Sequence, residues 1–137
     1  MYTKILVPVD LEHLERLTKA IGLAEELGRQ YGAEICYVGV TTALPSKIAH
    51  TPGEYTQKLE GFAQQQATAS GLTAGAKVYV SHDPTVDLNE TLLRAIDELG
   101  ADLVVMASHV PGVAEHIFAS HGGAVASHAK ISVFLVR

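Results

Sequence analysis

Cysteine is almost absent. Cys36 is the only one, so the chain cannot close an internal disulfide. It lies in an apolar run and reads as a small buried hydrophobe, with a reactive thiol as the lesser alternative. A reducing, cytoplasmic setting is the expectation. Tryptophan is missing and aromatics make up 6% of the residues, so a core must be built mainly from aliphatic side chains. No apolar run approaches the roughly 20 residues of a membrane-crossing helix. Met1 leads into a strand-like run with no signal-peptide cleavage pattern. Basic residues are scarce too: ten Lys and Arg against fifteen Asp and Glu leave a net charge of −5. The cations are scattered, which argues against a nucleic-acid binder that covers phosphates with a basic surface. Missing motifs exclude further classes. There is no Walker-type loop. The histidines at 109, 116, 121 and 128 never repeat the three- or four-residue step that sets two metal ligands on one helix face, so no metal site of the chain's own is expected. Asp10, His109 and Ser120 include the residue types of a nucleophilic triad, but no Gly-x-Ser-x-Gly elbow accompanies them.

What is present is order. The chain has 137 residues, 47% of them hydrophobic, which suits one domain spanning residues 1–137. No repeat, linker or low-complexity tail interrupts it. Five short apolar runs, Lys4–Val9, Glu34–Thr41, Ala76–Ser81, Asp102–Ala107 and Ser132–Val136, alternate with helical patterns. Ile5-Leu6-Val7 and Leu103-Val104-Val105-Met106 are continuously apolar, as in strands buried on both faces of a parallel sheet. Leu14, Leu17, Ile21, Ala24, Leu27 and Tyr31 predict a helix over His13–Tyr31, with Gly32 as its stop. A weaker pattern covers Tyr55–Ser70. Asp83 as N-cap, Pro84 at the first position and the stripe Leu88, Leu92, Ala95, Ile96 and Leu99 predict a helix over Pro84–Leu99. A last helix takes part of Val113–Ala129. Thr42–Glu54, with Pro45, Pro52 and Gly53, reads as the longest loop and as a mobile one. Alternation of this kind implies an α/β fold with a parallel sheet and helices on both faces.

Open α/β sheets bind ligands outside the carboxyl ends of their strands, where strand order reverses. That rule singles out Pro8-Val9-Asp10, Gly39-Val40-Thr41 and Ala107-Ser108-His109-Val110. Asp10 also suits a helix cap, and capping and ligand contact are compatible. Ser120 is equally a candidate cap and His109 a candidate turn residue.

These segments carry a resemblance. Ile5-Leu6-Val7-Pro8-Val9-Asp10, the stretch Ala101–His109 and the ending His128–Arg137 resemble, in that order, the opening, fourth strand and close of universal stress proteins. The resemblance implies a five-stranded flavodoxin-like sheet of order 3-2-1-4-5, akin to the adenine nucleotide alpha hydrolases. It also implies ATP, AMP or ADP as ligand, with Mg for a triphosphate. Val9 and Val40 match positions whose backbone faces adenine, flanked by Pro8. Asp10 matches the acidic residue near ribose and adenine. In the family a Gly-x-x-Gly pair is followed by a further glycine and a Ser or Thr. Ala107, after Met106, stands at the first glycine, Val110 at the second and Ala119 at the third; Ser120 keeps the hydroxyl. Alanine and valine narrow the backbone approach that glycine allows, while Gly122-Gly123 offers a partial substitute. No Lys or Arg lies between Arg94 and Lys130, so His109 and His121 are the phosphate partners expected nearby. The function implied is a nucleotide-binding regulator acting through a protein partner. The alternatives are a dimeric protein that no longer binds nucleotide, and a slow ATPase using Asp10. A homodimer through Ser132–Val136 is expected, because that apolar segment falls at a sheet edge.

Overall fold

A computed structural model describes residues 1–108 and 121–137, and the side chain of Thr85 is not among the described parts. The strands are β1 (Lys4–Pro8), β2 (Glu34–Thr41), β3 (Ala74–Val80), β4 (Leu103–Ala107) and β5 (Ser132–Val136). They form one parallel sheet of order β3-β2-β1-β4-β5. The helices are α1 (Thr18–Tyr31), α2 (Pro52–Ser70), α3 (Pro84–Leu99) and α4 (Gly122–His128), with a short 3₁₀ segment over Leu11–Arg16.

The continuously apolar strands divide by alternation, since successive side chains leave a strand on opposite faces. Val7, Val9, Ile35, Tyr37, Leu103 and Val105 pack in one core with Ala20, Ile21 and Ala24 of α1 and Leu59 and Ala63 of α2. Leu6, Cys36, Val38, Val40, Val104 and Met106 pack in the other with Leu88, Leu92, Ala95 and Ile96 of α3 and Val125 of α4. Cys36 is a buried hydrophobe here, and burial pushes its thiol pKa up, away from the reactive thiolate.

Three boundaries differ by more than one residue from the sequence reading. The helix expected from His13 begins only at Thr18: His13, at φ −133° and ψ 38°, leaves the helical region, and the chain enters α1 through the 3₁₀ segment. The loop expected over Thr42–Glu54 gives up its last residues to α2. Pro52 starts that helix because proline fits the first helical position, and the Thr51 hydroxyl accepts from Glu54 N–H at 3.1 Å as its cap. β3 begins at Ala74, two residues early, because Ile35 of the inner strand β2 pairs with it and recruits the small Ala74-Gly75 step into the ladder.

Among the described residues, no helix is long and apolar enough to cross a membrane.

Candidate functional site

The two neighbours of β1 treat it differently. β2 pairs with all five of its residues, from Lys4–Glu34 to Pro8–Val38. Val9 N–H continues that ladder by donating to the Val38 carbonyl at 2.8 Å. β4 pairs only with Ile5 and Leu6, opposite Leu103 and Val104. Beyond Leu6 the two strands part, and Pro8 has no N–H with which to close the gap. This parting stands where the strand order reverses, and it opens at the carboxyl ends of β1 and β4. The sequence rule aims at that place.

Asp10 stands on the β1 lip. It caps the 3₁₀ segment: Oδ1 accepts from Glu12 N–H at 3.0 Å, and Oδ2 lies 2.9 Å from Nδ1 of His13. Capping and position at the crevice therefore coexist. Val9 precedes Asp10 and Val40 lies near the end of β2, and their side chains are buried in opposite cores. What they present at the strand ends is backbone.

Tyr55 fills the space behind the β1 and β2 ends. Its ring lies against Gly39, where an added Cβ would come within 2.8 Å of Tyr55 Cε1 and 3.1 Å of Leu59 Cδ2. Glycine at 39 thus serves the packing of α2 on β2. The phenol oxygen accepts from Leu11 N–H at 3.3 Å, which ties α2 to the residue after Asp10. Burial, above all, pushes this phenol pKa up to about 12; the nearby Asp10 and Glu12 charges add to the rise and the Leu11 N–H opposes it. The segment between β2 and α2 is folded back on that helix. Ser46 Oγ accepts from Ile48 and Ala49 N–H, Glu54 accepts from His50 N–H at 3.1 Å, and Lys58 donates to the Ile48 carbonyl.

On the β4 lip, Met106 is fully buried and Ala107 nearly so. Ser108 N–H donates to the Val136 carbonyl at 2.7 Å, which anchors this lip to β5. Gly122 comes close beneath it: a Cβ there would stand 2.8 Å from Leu135 Cδ2 and 3.8 Å from Ser108 Oγ. Glycine at 122 thus serves the packing of α4 on β5. His121 precedes α4, with Nδ1 2.9 Å from Asn89 Oδ1 of α3. His109, Val110, Ala119 and Ser120 lie outside the described residues.

The structure thus brings together Pro8, Val9, Asp10 and Val40 on one side and Met106, Ala107 and His121 on the other. Two residues that the sequence reading passed over, His13 and Tyr55, join the first group. A histidine three residues after a capping acid was the available signal for His13. Nothing local marks Tyr55, whose place depends on α2 lying across Gly39.

Comparison with known proteins agrees with this architecture. The family model described as the universal stress protein family matches residues 1–137. Universal stress protein G of Shigella flexneri is 28% identical over the whole of both chains. A universal stress protein solved in complex with cAMP is 21% identical, with a TM-score of 0.70 over 99% of this chain and 97% of that one. The universal stress protein of Archaeoglobus fulgidus solved in complex with dAMP is 19% identical, with a TM-score of 0.69 over 99% and 98%. With a family model matching from end to end and the expected strand order in place, this chain belongs to the universal stress protein family.

Proposed function

We propose that this protein binds an adenine nucleotide between the carboxyl ends of β1 and β4, and that it acts as a regulator and not as an efficient enzyme. The observation that carries the reading is the parting of β1 and β4 at the strand-order reversal, with the Asp10 carboxylate on one lip. A carboxylate only accepts hydrogen bonds, so it suits the amino and hydroxyl donors of a nucleoside. The relatives solved with cAMP and dAMP support the ligand class. Adenine would lie against the backbone at Val9 and Val40, with phosphates toward Ala107, Ser108 and His121. Occupancy would then order the segments after β1, β2 and β4 and so alter a surface read by a protein partner. Calorimetry with AMP, ADP, cAMP, and ATP with and without Mg is the test. Heat of binding is expected below millimolar concentration for at least one adenine nucleotide, and none at millimolar for any of them would overturn the reading.

A second reading concerns assembly. We propose that two copies pair through β5. Phe134 of this edge strand is 46% exposed. It lines a groove of about 610 Å3 with Thr18, Gly22 and Leu23 of α1. A bare apolar edge strand invites a partner strand. Light scattering at micromolar concentration should give a dimer mass that falls toward the monomer in Phe134→Lys. A monomeric wild type would overturn it.

A further inference from the structure

Asp10 is engaged before any ligand arrives, and two of its contacts differ in kind. The bond from Glu12 N–H to Oδ1 is an ordinary cap at a helix start. The contact of Oδ2 with His13 comes from a residue whose backbone has left the helical region, while its neighbours remain in the 3₁₀ turn. At 2.9 Å an imidazole lone pair facing a carboxylate oxygen would be repelled. Nδ1 therefore carries the hydrogen and donates, whether the ring is the neutral Nδ1–H tautomer or the imidazolium. The His13 side chain is 34% exposed and that of Asp10 12%, so the histidine is on the outer side and the acid on the inner.

We propose that His13 is a positioning residue for nucleoside recognition: its Nδ1–H holds the Asp10 carboxylate in the orientation in which it accepts from the nucleoside's amino or hydroxyl donors. The proposal rests on the adenine-nucleotide reading of the crevice. His13 touches no ligand in this role. A carboxylate held at both oxygens has already lost its rotational freedom, so less is lost when the ligand arrives. Affinity is raised by preorganisation, with no new ligand contact.

Two measurements test this. In the first, two-bond 1H–15N spectra of the neutral imidazole should show the Nδ1–H tautomer for His13 in the wild type and a return to Nε2–H in Asp10→Ala. An Nε2–H tautomer in the wild type would overturn the proposal. In the second, AMP affinity is measured by calorimetry for the wild type, His13→Leu and His13→Asn, each checked for an unchanged fold by thermal unfolding. The leucine variant should bind about tenfold more weakly. The asparagine variant, whose amide places an N–H near the position of Nδ1, should stay within about twofold of the wild type. Equal binding by the leucine variant, or equal losses in both, would overturn it. AMP binding that is the same whatever residue stands at 13 removes the role of His13 alone. A wild type that binds none of AMP, ADP, cAMP or ATP removes the proposed ligand class and this role together.

Discussion

β1 and β4 lie side by side at the centre of the sheet, and their two ends are built to opposite effect. At the amino ends one carboxylate joins them. Asp102 accepts from the N–H groups of Thr3 and Lys4 and from the Thr3 hydroxyl, and its own N–H donates to the Lys4 carbonyl at 3.0 Å. At the carboxyl ends the pairing stops after Leu6, and Asp10 turns its carboxylate to its own following turn and to His13. Both aspartates accept backbone N–H groups. One binds strand to strand, while the other organises a lip and leaves the strands apart. A parallel sheet can hold a crevice at one end because its cohesion is concentrated elsewhere.

The contrast can be broken most forcefully at the amino ends. Asp102→Ala removes the acceptor for three donors across the β1–β4 seam and should lower stability by about 2–3 kcal/mol, read from denaturant midpoints, because three hydrogen bonds to an ionised acceptor are lost together. Nucleotide affinity of the folded fraction should not change. A midpoint equal to the wild type would mean that the seam is held by other contacts.

A smaller loss is expected from Gly39→Ala at the other end. The new methyl would meet the Tyr55 ring and Leu59, and overpacking of this kind costs about 1–3 kcal/mol. Displacing Tyr55 also disturbs its bond with Leu11, so affinity for AMP should fall along with stability. Thermal unfolding and calorimetry on the same sample separate the two effects.

Acid sharpens the comparison further. Partial burial works against an ionised Asp102, but the donors from Thr3 and Lys4 outweigh it and hold its pKa below the ordinary carboxyl value. A depressed folded-state pKa contributes stability that is fully present above the unfolded value of about 3.9, and that is lost as pH falls through the folded one. The stability difference between wild type and Asp102→Asn should therefore be largest near neutral pH and shrink as pH falls below about 4. A difference that stays constant down to pH 2 would exclude the ionised carboxylate as its source.

The smallest effect on stability is expected from Asp10→Asn. The amide oxygen still accepts from Glu12 N–H, and asparagine caps about as well as aspartate, so stability should change by less than about 0.5 kcal/mol. The same substitution should weaken AMP binding several-fold, as charge is lost from the acceptor. A large stability loss with unchanged affinity would assign Asp10 to the fold alone.

The sequence by itself determined most of the architecture. Continuous apolar runs at Ile5–Val7 and Leu103–Met106 demanded cover on both faces, and alternation with helical stripes left a parallel sheet as the economical answer. Asp83, Pro84 and Gly100 set α3 to its residue, because capping chemistry is local. Asp10 could be singled out because strand ends are marked by where an apolar run stops. Three features were decided only in the tertiary structure. The parting of β1 and β4 depends on a neighbour some hundred residues away along the chain. The seat of Tyr55 over Gly39 depends on where α2 crosses β2. The late start of α1, with His13 turned back on Asp10, overrides an unbroken helical stripe from Leu14 onward. Periodicity records which side chains face a core, but a stripe continues unchanged through a 3₁₀ turn, so it cannot say where the backbone breaks. Local propensity and burial pattern are written residue by residue, whereas the crevice exists only as a relation between strands far apart in the chain.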